Sequence, residues 1–129
     1  MATEKIYSII ILLILINLTQ CKMETNSGLL ETYTLGIWHV KPGMDKEFIS
    51  AWTSFANWTS ENFSKGVGRA YLLRDVSDSL RFISFGPWNN ETTIQNWRNS
   101  DEFKNFAAKI TDLCDEFQPN TLKVASSSK

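Results

Sequence analysis

Apolar positions along this chain change period several times, and each change marks an element. Thr32 to Val40 is rich in β-branched and aromatic residues and ends at Lys41-Pro42-Gly43, the pattern of a first strand. From Met44 the apolar residues recur three or four apart, at Phe48, Ala51, Trp52, Phe55 and Trp58 or Thr59, with Asp45 and Glu47 in the first turn. This predicts an amphipathic helix ending near Asn62, its acids placed where the helix dipole favours them. Gly66 to Arg74 reads as a second strand and Leu80 to Trp88 as a third, and the two Asp and two Ser of Asp75 to Ser79 make the pair a hairpin. Asn89 or Asn90 then caps a helix with Glu91 just inside it. Its stripe runs through Ile94 and Trp97, bends or restarts at Ser100, and continues through Phe103, Phe106, Ile110, Cys114 and Phe117 until Pro119 stops it. Thr121 to Ala125 is a last short strand before a disordered Ser-rich tail over 126–129.

The order β-α-β-β-α-β is that of the ferredoxin-like α+β fold, a four-stranded antiparallel sheet with two helices on one face. Both side-chain parities of the strands are apolar: Leu35 and Ile37 oppose Trp38 and Val40, and Ile83 and Phe85 oppose Phe82. Two helices cover one face of such a sheet, so the other needs a cover of its own. A homodimer in which two sheets face each other is the expected solution.

The N-terminal residues follow a different pattern. Ile6 to Ile16 is a nearly unbroken apolar run of about eleven residues after a short polar start, which suits a signal-peptide core and is short for a bilayer span. The run ends in Leu18-Thr19-Gln20-Cys21, similar to a bacterial lipobox, although Gln20 departs from the usual Gly, Ala or Ser. The expectation is a lipoprotein signal over 1–20 and lipidation of Cys21, with ordinary cleavage nearby or an uncleaved anchor as alternatives. Residues 21–30 form a polar tether and 31–125 a single domain. The mature protein is then expected in a bacterial cell envelope, lipid-anchored to a membrane, or otherwise secreted or periplasmic.

Composition narrows the chemistry. A net charge of −1 gives no attraction for nucleic acid. One His and two Cys are too few for a catalytic zinc site, so no metal is expected. With Cys21 lipidated, Cys114 has no intrachain partner and reads as a small core residue on the helix stripe. Gly66-Val67-Gly68 precedes a strand and is no nucleotide loop, and no Gly-x-Ser-x-Gly elbow occurs.

Val40-Lys41-Pro42-Gly43, Leu73-Arg74-Asp75, Arg81-Phe82-Ile83-Ser84-Phe85-Gly86-Pro87-Trp88 and Trp97-Arg98-Asn99-Ser100-Asp101-Glu102-Phe103 together resemble the antibiotic biosynthesis monooxygenase superfamily of dimeric α/β barrels. The resemblance spans Thr32 to Ala125. It implies oxidation of a small aromatic or quinol-like substrate by O2 without any cofactor, the substrate's own phenolate or enolate passing an electron to oxygen in a dry pocket. A second group of relatives degrades haem with a first-strand Asn, a Trp and a His ten residues beyond it. Here Trp97 matches the Trp, but Gly36 and Ala107 stand at the other two positions, which disfavours haem.

The candidate site residues follow. His39, the single histidine, is the candidate catalytic base if the Leu35 and Ile37 side carries the pocket, and a rim residue if it does not. Trp97 has the family precedent for catalysis, or locks its helix to the sheet. Trp88 and Trp38 could bind a flat aromatic substrate while donating an indole N–H, whereas Trp52 and Trp58 belong to the first helix's stripe or its edge. Arg69 and Arg81 could hold a phenolate or carboxylate, or pair with Asp75, Asp78 or Glu31. Tyr71 donates to an oxyanion or packs in the dimer interface. The competing function is a non-catalytic ligand-binding or dimerisation module at the membrane surface.

Overall fold

A computed structural model of the chain describes residues 30–129, and within them seven elements follow one another. They are β1 (Thr32–Val40), α1 (Asp45–Asn62), β2 (Tyr71–Arg74), β3 (Arg81–Trp88), α2 (Glu91–Asn99), α3 (Asp101–Asp112) and β4 (Cys114–Lys123). The strands pair antiparallel in the order β2-β3-β1-β4, the ferredoxin-like arrangement. The expected signal segment, Cys21 and nearly all of the tether lie outside the described residues.

Local chemistry sets the joints. The Met44 N–H donates to the Lys41 carbonyl at 3.0 Å across Pro42-Gly43, and Gly43 takes φ +81, a turn that needs proline's fixed φ and then a residue without Cβ. In the β2–β3 hairpin the Asp75 carboxylate accepts from the Ser77 N–H at 2.8 Å and its hydroxyl at 2.7 Å, while Asp78 accepts from the Leu80 N–H at 3.1 Å. These bonds turn the chain without help from the sheet.

The core lies between the sheet and the helices. Trp38, Val40, Phe82 and Trp88 from the strands meet Phe48 and Phe55 of α1, Ile94 and Trp97 of α2, and Ile110 of α3, all buried. Full burial of a Phe or Ile side chain stabilises the fold by about 1.5–3 kcal/mol, so these positions hold the three helices onto one face.

Three expectations change. The long second helix is two helices, broken at Ser100 (ψ 146), whose hydroxyl caps α3 by accepting from the Phe103 N–H at 3.2 Å. Of the bend or restart expected at Ser100, the structure has the restart. Second, the helix ends at Asp112, and Cys114 to Lys123 is strand. Pairing with β1 outweighs the helical spacing of Ile110, Cys114 and Phe117: Phe117 instead stacks flat on Trp38 at 3.8 Å. Lys41 secures the helix end, its Nζ donating to the Asp112 carbonyl at 2.8 Å and its N–H to the Leu113 carbonyl at 3.0 Å. Pro119 falls on the edge strand, where a missing N–H is tolerated. Third, β2 begins at Tyr71, not Gly66. Gly66 to Ala70 follow the end of β3 through a single Val67–Trp88 bridge, and a Cβ at Gly68 would lie 2.7 Å from the Pro87 ring.

Candidate functional site

Strand parity decides which side chains can meet. On β1 the residues Thr34, Gly36 and Trp38 face the helices, and on β3 Ser84, Gly86 and Trp88 do. Between this face and the helices lies a cavity of about 520 Å³. Its walls are aromatic, from Trp38, Trp88, Trp97, Trp52, Phe55, Phe103 and Phe117, and its polar lining is chiefly hydroxyl, from Thr34, Ser84, Thr59, Thr111 and Thr121. That volume accommodates a small fused-ring molecule.

Three of the four wall tryptophans each donate to one hydroxyl. The Trp38 indole N–H donates to Ser84 Oγ at 2.9 Å, that of Trp88 to Thr34 Oγ1 at 2.9 Å, and that of Trp97 to Thr59 Oγ1 at 3.0 Å. The Thr59 hydroxyl in turn donates to the Phe55 carbonyl at 2.9 Å. Thr34 and Ser84 donate to no group among the described residues, so both O–H groups remain free for a ligand. A hydroxyl that already accepts a hydrogen bond is a stronger donor.

Gly36 makes the first of these pairs fit. A Cβ there would stand 2.9 Å from Ser84 Oγ and 2.9 Å from Trp38 Nε1, the two atoms of the bond. The indole reaches Ser84 across a residue that has no side chain.

Among the lining residues Arg98 is the only one that carries charge. It sits in the last turn of α2 and donates from Nη2 to Thr121 Oγ1 of β4 at 3.0 Å. The lining contains no carboxylate, imidazole or thiol.

Of the residues expected to form a site, the fold brings Trp38, Trp88 and Trp97 together around the cavity. His39, Arg81 and Tyr71 stand on the opposite sheet face, His39 and Arg81 as cross-strand partners. Arg81 binds Asp75 at 3.1 Å. Hydrogen bonds from the Ser77 hydroxyl and N–H, with Arg81 beside it, hold the Asp75 carboxyl down at about 2. Tyr71 stacks on Phe85 at 5.6 Å, with the Arg69 guanidinium 5.4 Å from its ring. Cys114 is buried at the start of β4, and burial raises its thiol to about 11, which leaves it inert near neutral pH. No cluster of metal ligands occurs among the described residues.

Sequence reasoning passed over Thr34, Ser84, Thr59 and Arg98. For the first two a signal existed: Thr34 shares the parity of Trp38, and Ser84 that of Phe82.

A family model described as antibiotic biosynthesis monooxygenase matches residues 35–109. The fold is similar to SnoaB, a cofactor-independent oxygenase from Streptomyces nogalater, at 16% identity and TM-score 0.68, covering 77% of this chain and 97% of that one. It is similar also to a conserved protein from Methanosarcina mazei at 19% identity and TM-score 0.66, covering 73% of this chain and 92% of that one. No curated protein matches the chain in sequence.

Proposed function

Since this chain belongs to the antibiotic biosynthesis monooxygenase family, the matched segment being residues 35–109 of 129, we propose that it is a cofactor-independent monooxygenase for a small aromatic or quinol-like substrate. The observation that carries the reading is the aromatic cavity with the two free hydroxyls of Thr34 and Ser84, each held by an indole N–H.

The chemistry follows from what the cavity offers. A bound phenolate or enolate passes an electron to O2, and the resulting radicals combine at a ring carbon. The substrate loses two hydrogens, one from that carbon and one from the hydroxyl that ionised; one oxygen atom of O2 becomes the carbonyl oxygen at that carbon and the other leaves as water. The substrate supplies the reducing electrons, so no further reductant is needed. The hydroxyls of Thr34 and Ser84 hold the negative oxygen, and the aromatic walls exclude water. With no proton acceptor in the lining, the substrate enters already ionised or loses its proton to water.

A second reading, ligand binding without turnover, rests on that same lack of an acid or base. Oxygen uptake over a panel of quinols and hydroxylated aromatics separates the two. The expected result is uptake with some member, lowered about 10²-fold by combined Thr34→Val and Ser84→Ala and unchanged by His39→Ala. Binding of panel members with no uptake by any of them would establish the binding module. In either case the apolar sheet face is assigned to a homodimer, and Cys21 to a lipid anchor at the envelope; retention of labelled fatty acid by Cys21→Ala would overturn the latter.

A further inference from the structure

We infer that the cavity takes an aromatic acid, with Arg98 holding an anionic substituent at the β4 edge while Thr34 and Ser84 hold a ring oxygen on the sheet. The inference rests on reading the cavity as an aromatic-binding site.

Arg74, Arg81 and Lys123 each face a carboxylate, at 3.3, 3.1 and 2.9 Å, whereas Arg98 forms no ion pair among the described residues. A guanidinium has five N–H donors in a fixed fork, and one of them goes to Thr121. The C-terminal end of α2 steadies the charge but brings only a partial negative charge. Arg98 is the one charge in the lining of this apolar cavity, partly buried with its bond to Thr121 at the exposed edge, and a carboxylate matches its fork with two parallel bonds.

The sheet register fixes the scale of the ligand. Thr121, the anchor of Arg98, lies directly across from Thr34. Ser84 stands one strand further, on β3 opposite Gly36. With strands about 4.8 Å apart, the acid and the ring oxygen are separated by roughly 5–10 Å. Two fused rings with substituents at opposite ends span that distance, and a single ring with adjacent substituents does not.

Calorimetric titration of the full chain in oxygen-free buffer, with 6-hydroxy-2-naphthoate and with 2-naphthol, tests the inference apart from turnover. The wild type is expected to bind the acid about tenfold more tightly, Arg98→Gln to bind both about equally, and Arg98→Lys to keep part of the preference. Affinity for 2-naphthol is expected to change less than about twofold in either variant, which also reports that each is folded. Equal affinities in the wild type, or a preference that survives Arg98→Gln, would overturn the inference. If neither compound binds, the inference falls together with the aromatic reading of the cavity. If the preference appears but no panel member consumes oxygen, the inference stands and the monooxygenase reading fails.

Discussion

At the scale of single residues, the smallest side chain has the sharpest consequence. Gly36→Ala would place a methyl group between the Trp38 indole and Ser84, 2.9 Å from both bonded atoms. Phe117 stands 3.0 Å to the side and is itself stacked on Trp38, so there is little room to yield. The expected outcome in denaturant unfolding is a loss of about 1–3 kcal/mol, together with weaker binding of any cavity ligand. Asp75 gives a prediction of opposite character, on the far face and dependent on pH. Its carboxyl, held at about 2 against an ordinary 3.8, contributes stability that is present above about pH 4 and is lost as pH falls through about 2. Asp75→Asn is therefore expected to melt below the wild type at pH 7, with the gap closing between about pH 4 and pH 2. A gap that persists at pH 2 would show that shape, not charge, makes Asp75 important. The same contrast explains what could be read in advance. Trp38, Trp88 and Trp97 are large enough for their class alone to mark a pocket, whereas Thr34 and Ser84 acquire their meaning only from the indoles that reach them across strands.

At the scale of elements, periodicity located what local chemistry governs and failed where pairing governs. The first strand, first helix and hairpin turn needed no distant partner to be recognised, because Pro42-Gly43 and the Asp75 to Ser79 cluster set their limits. Cys114 and Phe117 continued a helical stripe correctly as spacing, yet β4 is where β1 finds its second set of hydrogen bonds, and no sequence period records that demand. Ser100 shows how closely a short joint is specified. Its hydroxyl donates to the Trp97 carbonyl at 2.8 Å, closing α2, and accepts from the Phe103 N–H at 3.2 Å, opening α3. That double contact sets the angle at which Trp97 and Phe103 meet edge to face at 4.5 Å on the cavity wall. Ser100→Ala is expected to cost about 1 kcal/mol, within the usual range for an N-cap, and Ser100→Asp, which restores an acceptor, to recover most of it. Thermal denaturation of the two variants beside the wild type measures the difference; equal losses in both would show that packing at the joint outweighs the cap.

For the whole molecule the question is what covers the second face of the sheet. Leu35 and Ile37 of β1, Ile83 and Phe85 of β3, and Tyr71 and Leu73 of β2 form one block, joined by the pairings Leu35–Phe85, Ile37–Ile83, Tyr71–Phe85 and Leu73–Ile83. Tyr71 is 44% exposed and Leu73 50%, while the helices occupy the other side. A continuous apolar block of this kind, on a chain whose remaining sheet face already carries its core, has the composition of an interface centre. It also leaves most of the cavity free, because the inward side chains of β1 and β3 alternate with those of the block, and of the block only Leu35 and Phe85 also reach the cavity lining. Function and association are therefore separable by substitution. Ile83→Glu, at the middle strand of the block, would bury a charge against its own copy in any face-to-face dimer, at a cost of several kcal/mol. The expected result by analytical ultracentrifugation at micromolar concentration is a dimer for the wild type and a monomer for Ile83→Glu, with aromatic binding in the cavity retained by both. A wild-type monomer would remove the dimer and leave the block to another partner. Loss of binding along with the dimer would mean that the second copy holds the sheet in the shape the cavity requires, coupling the two faces that strand alternation otherwise keeps apart.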